Sequence, residues 1–536
     1  MKLAAESREQ SIRSIVLHPV LFALFPTIFL FFHNYGQVTI RQLVLPLEFT
    51  VVLLIGIWLL LGFLLEDVVK SGLAVSLFFL LFFSFGHALE LLPNDVSLFN
   101  RYVLLLILWP SLFLCWVWWI KRTAQDLTFL SHAGNVIGLI FISMSIIPGD
   151  LLAAVMRQSP EESFSSSKLT LEANKVQGPS RLPDIYYIMI DGYTRQDILQ
   201  EVFNYDNHEF LSFLRQNNFY VSDRAHANYS QTWLSLTASL NLNYVDQLLD
   251  IESIPSHDRT PLRDRIQNNW VVDFLKSYGY TFVSFDSGMA FTDMAKADIV
   301  LPRKPVIDEF LGTLLRYTPL LGIFYVTQQL DDAQYMPIPS LAYQAHRERI
   351  EYALDTLPTL TKLKSPLFAF AHVLAPHPPF VFGENGEPID PERQYETVDG
   401  THYYEKGGTR EEYLKNYPRQ IHYLNKKLAM TIREILHRSP EDPVIILQAD
   451  HGSRMQLDWG SATNTNFNEA YSIFSALYLP GMTFRPAYND ISPVNTFRLV
   501  FNAYFGTDFK ILENKSYYST WENPYKFVDI TEQVNF

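Results

Sequence analysis

The chain has almost no cysteine. Its only thiol, Cys115, lies inside a long apolar run, so the polar remainder of the protein contains no disulfide and must draw stability from the size of its core. Charge is scarce as well: 18% of residues are charged, and the acids outnumber the bases to leave a net charge of −14. That balance excludes nucleic acid as a partner and keeps a polar domain off anionic lipid. There is no internal repeat, which removes solenoid and propeller architectures.

Apolar surface, by contrast, is in excess. The composition is 48% hydrophobic and 15% aromatic, heavy for a soluble protein, and 536 residues call for more than one domain. Five runs, near 15–33, 46–65, 71–89, 101–120 and 127–148, are each long enough to cross a hydrocarbon layer, which takes roughly 20 residues. Buried core helices would not be this long, this free of charge and joined by links this short. The reading is a five-helix transmembrane domain over residues 1–150, with Pro26 and Pro110 kinking their spans. A polar segment precedes the first run and four more spans follow it, so no cleaved leader is expected.

Lys2, Arg8, Arg13, Lys70, Lys121 and Arg122 fall on one side of this arrangement, and only Arg41 and Arg101 on the other. The basic side faces the cytoplasm, which puts the N-terminus inside and everything after residue 150 outside. The expectation is a multi-pass protein of the cell (inner, cytoplasmic) membrane, with the bilayer as a partner and an extracytoplasmic catalytic domain.

Residues 151–182, with SPEESFSSSK in the middle, read as a polar linker. From 183 to 536 the text changes. Short apolar runs at 184–191, 280–285, 367–373, 444–450 and 474–480 alternate with helical patterns at 206–217, 232–241, 264–278, 343–357, 409–437 and 494–505. Near-continuous apolar strands alternating with helices predict an α/β domain with a largely parallel central sheet. Sites in such sheets lie beyond the carboxyl ends of the strands.

Two strands end in carboxylates. YYIMIDGY reaches Asp191, and IILQADHG reaches Asp450 with His451 beside it. One Asp after a strand is ordinarily a cap or turn former; two, with an adjacent imidazole, make a donor set for a divalent cation such as Zn or Mn. In NYSQTWLSLTASLN (228–241) a polar turn runs into an apolar helical pattern, which places Ser230 to Thr232 at a helix start. Hydroxyls there are usually caps, but the same place offers free N–H groups to an anion, and a metal-bound hydroxyl ionises into a nucleophile.

On these residues the chain resembles the alkaline phosphatase superfamily, and within it the five-span membrane transferases: lipid A phosphoethanolamine transferases, lipoteichoic acid synthases and phosphoglycerol transferases. The layout of five spans and an outer sulfatase-like domain extends that resemblance over essentially the whole chain. It implies Thr232 as nucleophile, in a T-x-x-S pattern with Ser235, and a metal held by Asp191, Thr232, Asp450 and His451. The transferases usually carry Glu where this chain has Asp191. AHVLAPHPPFVF (371–382) adds His372 and His377, spaced as the two histidines of phosphoethanolamine transferases, with catalytic roles implied; a core histidine and a structural turn are the bland alternatives. Arg454 reads as either an oxyanion contact or a surface charge. Two departures stand out: those transferases are often rich in outer disulfides, and their Gly-Ser before the second His is Ala375-Pro376 here.

The resemblance implies a phospholipid headgroup donor, a cell-envelope glycan or lipid acceptor, and transfer of a phosphoethanolamine- or phosphoglycerol-type group. Three rivals are kept open. A sulfatase needs C/S-x-P-x-R, and the nearest match, SIPSH at Ser253 to His257, has His where Arg is required. A two-metal phosphodiesterase or phosphatase would have to recruit His372, His377 and His422. A non-catalytic membrane protein binding glycan or lipid would have no use for a metal-ligated hydroxyl.

Overall fold

The structure is a computed structural model that describes residues 15–34, 38, 40–93, 96–146, 182–292, 294, 296–301, 309–331, 338–391, 393, 395–482 and 489–534. The linker reading, apart from Leu182, therefore lies outside the described residues. The chain divides into two units, one comprising 1–160 with 307–341 and the other 161–306 with 342–536. The second part of the first unit is a correction to the sequence reading, which ran the outer domain unbroken from 183 to 536.

In the first unit each of the five apolar runs forms one helix: His18–His33, Ile40–Leu65, Val68–Leu91, Leu98–Arg122 and Thr128–Ile146. The last four are long and apolar enough to cross a membrane, while His18–His33, at 16 residues, is shorter. Its first turn borrows a cap from another helix, since Asn135 Oδ1 accepts from the amides of Leu17 and His18 at 2.9 and 2.8 Å. Buried His18 then bridges that same helix and Val68–Leu91, with Nε2 3.1 Å from Ser131 Oγ and Nδ1 2.6 Å from Ser76 Oγ. Pro26 and Pro110 sit inside helices as expected, and Pro46 does too.

The second unit is built on a seven-stranded sheet of β1 (Ile185–Ile190), β2 (Tyr220–Val221), β3 (Thr281–Phe285), β4 (Ile299–Leu301), β5 (Leu367–Val373), β6 (Val444–Gln448) and β7 (Ser475–Tyr478), in the order β2-β7-β6-β1-β5-β3-β4. The five central and right-hand strands run parallel; β7 is antiparallel to both β6 and β2. Alternation along β1 sorts the core into two layers. Tyr186, Ile188 and Ile190 face one side with Ala369, Ala371, Ile445 and Leu447, and Ile185, Tyr187 and Met189 face the other with Phe368, Phe370, Val444 and Ile446. Both faces are covered, which is why these strands read as unbroken apolar runs. The helix expected over 264–278 is two, Thr260–Gln267 and Trp270–Ser277. Asn269 divides them and caps the second by accepting from the Val272 amide.

Candidate metal centre

β1 lies between β5 and β6, so the carboxyl ends of three adjacent strands converge at one edge of the sheet. They deliver Asp191, His372 and the Asp450-His451 pair. The turn after β1 is made by Gly192 at φ +73°, and its amide lies 3.3 Å from Asp450 Oδ1. The Pro-rich loop after β5 folds back onto the same turn, with the His377 amide donating to the Asp191 carbonyl at 3.1 Å.

His451 carries the clearest signal. Its Nδ1 lies 2.8 Å from the Gly452 carbonyl, which can only accept, so Nδ1 bears a proton, and in the neutral imidazole Nε2 presents a lone pair. That lone pair faces Asp191 Oδ1 at 3.0 Å and Asp450 Oδ2 at 3.3 Å. All three atoms are buried and none has a hydrogen-bond partner. In the neutral imidazole three electron pairs converge in a buried place, a donor set that fits a cation. Ligand atoms of Asp191, His377 and His451 also lie within 4.8 Å of one another. Burial works against the charge on Asp191, but His377, His451 and the hydrogen bond from His372 hold its carboxyl well below the usual range.

The two histidines of AHVLAPHPPF do different things. His372 Nε2 donates to Asp191 Oδ2 at 2.9 Å, and its Nδ1 lies 3.3 Å from Thr292 Oγ1. It grips the carboxylate oxygen that His451 leaves free. His377 has an acceptor at each nitrogen: the Pro378 carbonyl at Nδ1, and Asp399 Oδ2 at 3.0 Å from Nε2. Burial pulls its pKa down, yet Asp191 and Asp399 together outweigh this and raise it.

Asp399 is not among the candidate residues of the sequence. In the fold it is buried and pairs with Arg454 as well as His377. Burial opposes its ionisation, but Arg454 and His377 bring the carboxyl down to about 2. Arg454 is not a surface charge: it is 4% exposed, sits at φ +60°, stacks over the Trp459 ring and donates to the Ser230 carbonyl. Its loop is clamped by buried Glu469, which accepts from the amides of Met455 and Gln456 at 2.7 and 3.0 Å.

Thr232 opens the helix Thr232–Leu240, whose N-cap residue Gln231 makes no side-chain cap. The first turn is tied to the Asp450 loop because Ser235 Oγ lies 2.9 Å from the Asp450 carbonyl, and Arg454 pins the turn just before it at Ser230. An uncapped helix start thus adjoins the convergent carboxylates. Thr237 belongs to the core, with Oγ1 against the Leu262 carbonyl. His422 lines a separate cavity of about 440 Å³ with Tyr205, Glu209 and Arg433. Ser253 ends a short 3-10 helix, where it and His257 are exposed.

No family model and no curated protein matches the chain. Among solved structures it is similar to the zinc complex of the C-terminal periplasmic domain of EptC from Escherichia coli, at 12% identity over 68% of this chain and 95% of that one, TM-score 0.42. It is also similar to the integral membrane lipooligosaccharide phosphoethanolamine transferase A of Neisseria meningitidis, at 12% identity over 90% and 95%, TM-score 0.35. A third is the lipoteichoic acid synthase LtaP of Listeria monocytogenes, at 16% identity over 61% and 73%, TM-score 0.35. Similarity this loose says nothing of chemistry, which has to come from the side chains.

Proposed function

We propose that the protein is a metal-dependent membrane phosphotransferase. It would move a phospholipid-derived headgroup, of phosphoethanolamine or phosphoglycerol type, through a covalent Thr232 intermediate onto a cell-envelope glycan or lipid. The observation that carries this is the buried Nε2 of His451, without a hydrogen-bond partner, between the oxygens of Asp191 and Asp450. A divalent ion, Zn or Mn, held by Asp191, Asp450 and His451 with the Thr232 hydroxyl, would lower the pKa of that hydroxyl and draw charge from phosphoryl oxygens.

The chain's own groups supply the rest. Thr232, having released its proton to solvent, bonds to phosphorus as the bond to the lipid alcohol breaks. His377, held as an imidazolium between Asp191 and Asp399, protonates the departing oxygen. An acceptor hydroxyl then gives its proton back to His377 and displaces Thr232. The free N–H groups of the uncapped helix start stabilise charge on the equatorial oxygens. His372 acts on Asp191 and is a positioning residue in this scheme.

Full-length protein incubated with membrane phospholipid and no acceptor should gain, on the peptide spanning 225–240, the mass of a phosphodiester-linked headgroup. Thr232→Ala should lose adduct and turnover together; an active Thr232→Ala enzyme with no adduct anywhere ends the covalent reading. An adduct that only water resolves, with every envelope acceptor tried, makes the protein a hydrolase instead.

A further inference from the structure

Residues 309–331 lie, in sequence, in the middle of the catalytic unit, between β4 and the core residues Ile350, Ala353 and Leu354. In space they belong to the helical unit. Two short helices, Glu309–Arg316 and Pro319–Asp331, form an elbow, with an 80° bend between Phe310–Arg316 and Pro319–Thr327.

The packing of this elbow is intimate. A Cβ on Gly86 would come 2.5 Å from the Arg316 carbonyl and 2.8 Å from Tyr317 Cα, and a Cβ on Gly322 would come 2.6 Å from the Tyr102 ring. Glycine at both places lets the elbow press onto the helices Val68–Leu91 and Leu98–Arg122. Leu314 joins the apolar cluster of Leu54, Leu61 and Phe79, and Tyr325 and Val326 cover Phe85 and Tyr102. Arg316 pairs with Glu90 at 2.7 Å, and Tyr317 stacks on His87 at 4.2 Å. Tyrosines and paired charge at one level of an apolar bundle mark the boundary between hydrocarbon and headgroups. Next to buried Gly322, Ile323 is 47% exposed.

We propose that this elbow is a re-entrant element embedded in the outer half of the bilayer, giving the catalytic unit a second attachment to lipid. Connectivity excludes a crossing. The chain leaves the catalytic unit after β4 and rejoins it by residue 342, and one folded unit cannot lie on both sides of a membrane. Length agrees, because helices of 8 and 13 residues span about 12 and 20 Å, short of a hydrocarbon core of about 30 Å. Gly86 lies five residues before the end of its helix at Leu91, so the bend reaches about 7 Å below that end. The elbow meets the ends near Leu91 and Leu98, which is the side that the Lys and Arg distribution assigns to the exterior.

The single native cysteine makes the test direct. In full-length Cys115→Ser protein in liposomes, a nitroxide on Ile323→Cys or Thr327→Cys should be relaxed several-fold more by oxygen than by a water-soluble nickel chelate. A label on Glu513→Cys, exposed on the catalytic unit, should show the reverse. Labels at 323 and 327 as open to nickel as that at 513 would overturn the proposal. Lys296→Cys and Lys364→Cys flank the elbow and should react with an impermeant maleimide from one and the same side. Reaction from opposite sides would make the segment a span and equally sink the idea. None of these signals depends on turnover, so the elbow can fail while the phosphotransferase reading stands, and the reverse.

Discussion

Asp399→Asn isolates the ion pair that underlies the candidate site. The carboxylate is buried between Arg454 and His377, and its pKa falls from an ordinary 3.8 to about 2. Burial alone would have raised it, so the cations more than offset desolvation. A depressed carboxylate stabilises the fold above its unfolded pKa and loses that contribution as pH falls through the folded one. At about 1.4 kcal/mol per unit the charge is worth roughly 2–3 kcal/mol at neutral pH, disappearing between about pH 4 and 2. The amide also strands Arg454, buried, with the Ser230 carbonyl as its remaining acceptor from this side, and removing one partner of a buried pair costs about 3–5 kcal/mol. With unfolding entropy near 2 cal/mol/K per residue and roughly 340 residues in the unit, the variant should melt about 4–7 °C lower at pH 7. Melting followed by tryptophan fluorescence of the full chain in detergent, with chelator in both samples, measures this. The gap should close as pH drops from 5 toward 2. A gap below 1 °C at pH 7, or one that ignores pH, refutes the assignment of Asp399 as an ionised partner of Arg454.

Further outcomes follow from neighbouring groups. Asp450→Ala and His451→Ala should each lower the metal bound by purified full-length protein from about one equivalent, read by elemental analysis; unchanged stoichiometry and affinity in both would place the metal elsewhere. His372→Ala removes the grip on Asp191 Oδ2 and should weaken metal affinity about 10–100-fold in chelator competition. Burial raises the pKa of Glu469, so the folded state binds its proton more tightly than the unfolded chain does, and stability is lost as pH rises from the unfolded pKa to the folded one. Glu469→Gln should flatten that loss in melts across the same range. A cysteine at Ala124 should resist an impermeant maleimide in intact cells while one at Lys296 reacts; labelling at 124 contradicts the inside assignment of that link.

What the sequence makes legible follows from which forces act locally. β1, β5 and β6 are buried on both faces, so each is written as an unbroken apolar run, and the carboxylates and imidazoles at their ends stand out against it. β2 and β4 are two and three residues long at the sheet edges, too short to leave a periodicity, and were not foreseen. Asp399 and Arg454 are joined by tertiary packing alone. Neither VDG nor HGSRM distinguishes a buried ion pair from a turn and a solvated charge, although the positive φ at Arg454 marks a backbone held by its surroundings. The elbow hides for a different reason. Helices of 8 and 13 residues are below the length at which a membrane segment can be told from a core helix, and their place inside the catalytic sequence points the wrong way.

Charge at the strand ends ties these observations to the proposed reaction. Asp191, Asp399 and Asp450 contribute three negative charges in their ionised forms, against one positive charge on Arg454 and one on His377 if it is held as an imidazolium. The buried cluster is then left with a net charge of about −1, an expensive balance away from water. A divalent cation between Asp191, Asp450 and His451 would change it to about +1. With the Thr232 hydroxyl still protonated, entry of a phosphodiester, with its one negative charge, would neutralise the site, whereas a neutral lipid or glycan would leave it charged. On the same arithmetic the anionic donor would bind first, and in the proposed double displacement the acceptor hydroxyl would follow once the phosphoryl group is on Thr232. Selection by charge at the metal and by hydroxyl at the acceptor step would let one small buried site handle two bulky substrates, with the rest of each lipid or glycan remaining outside it.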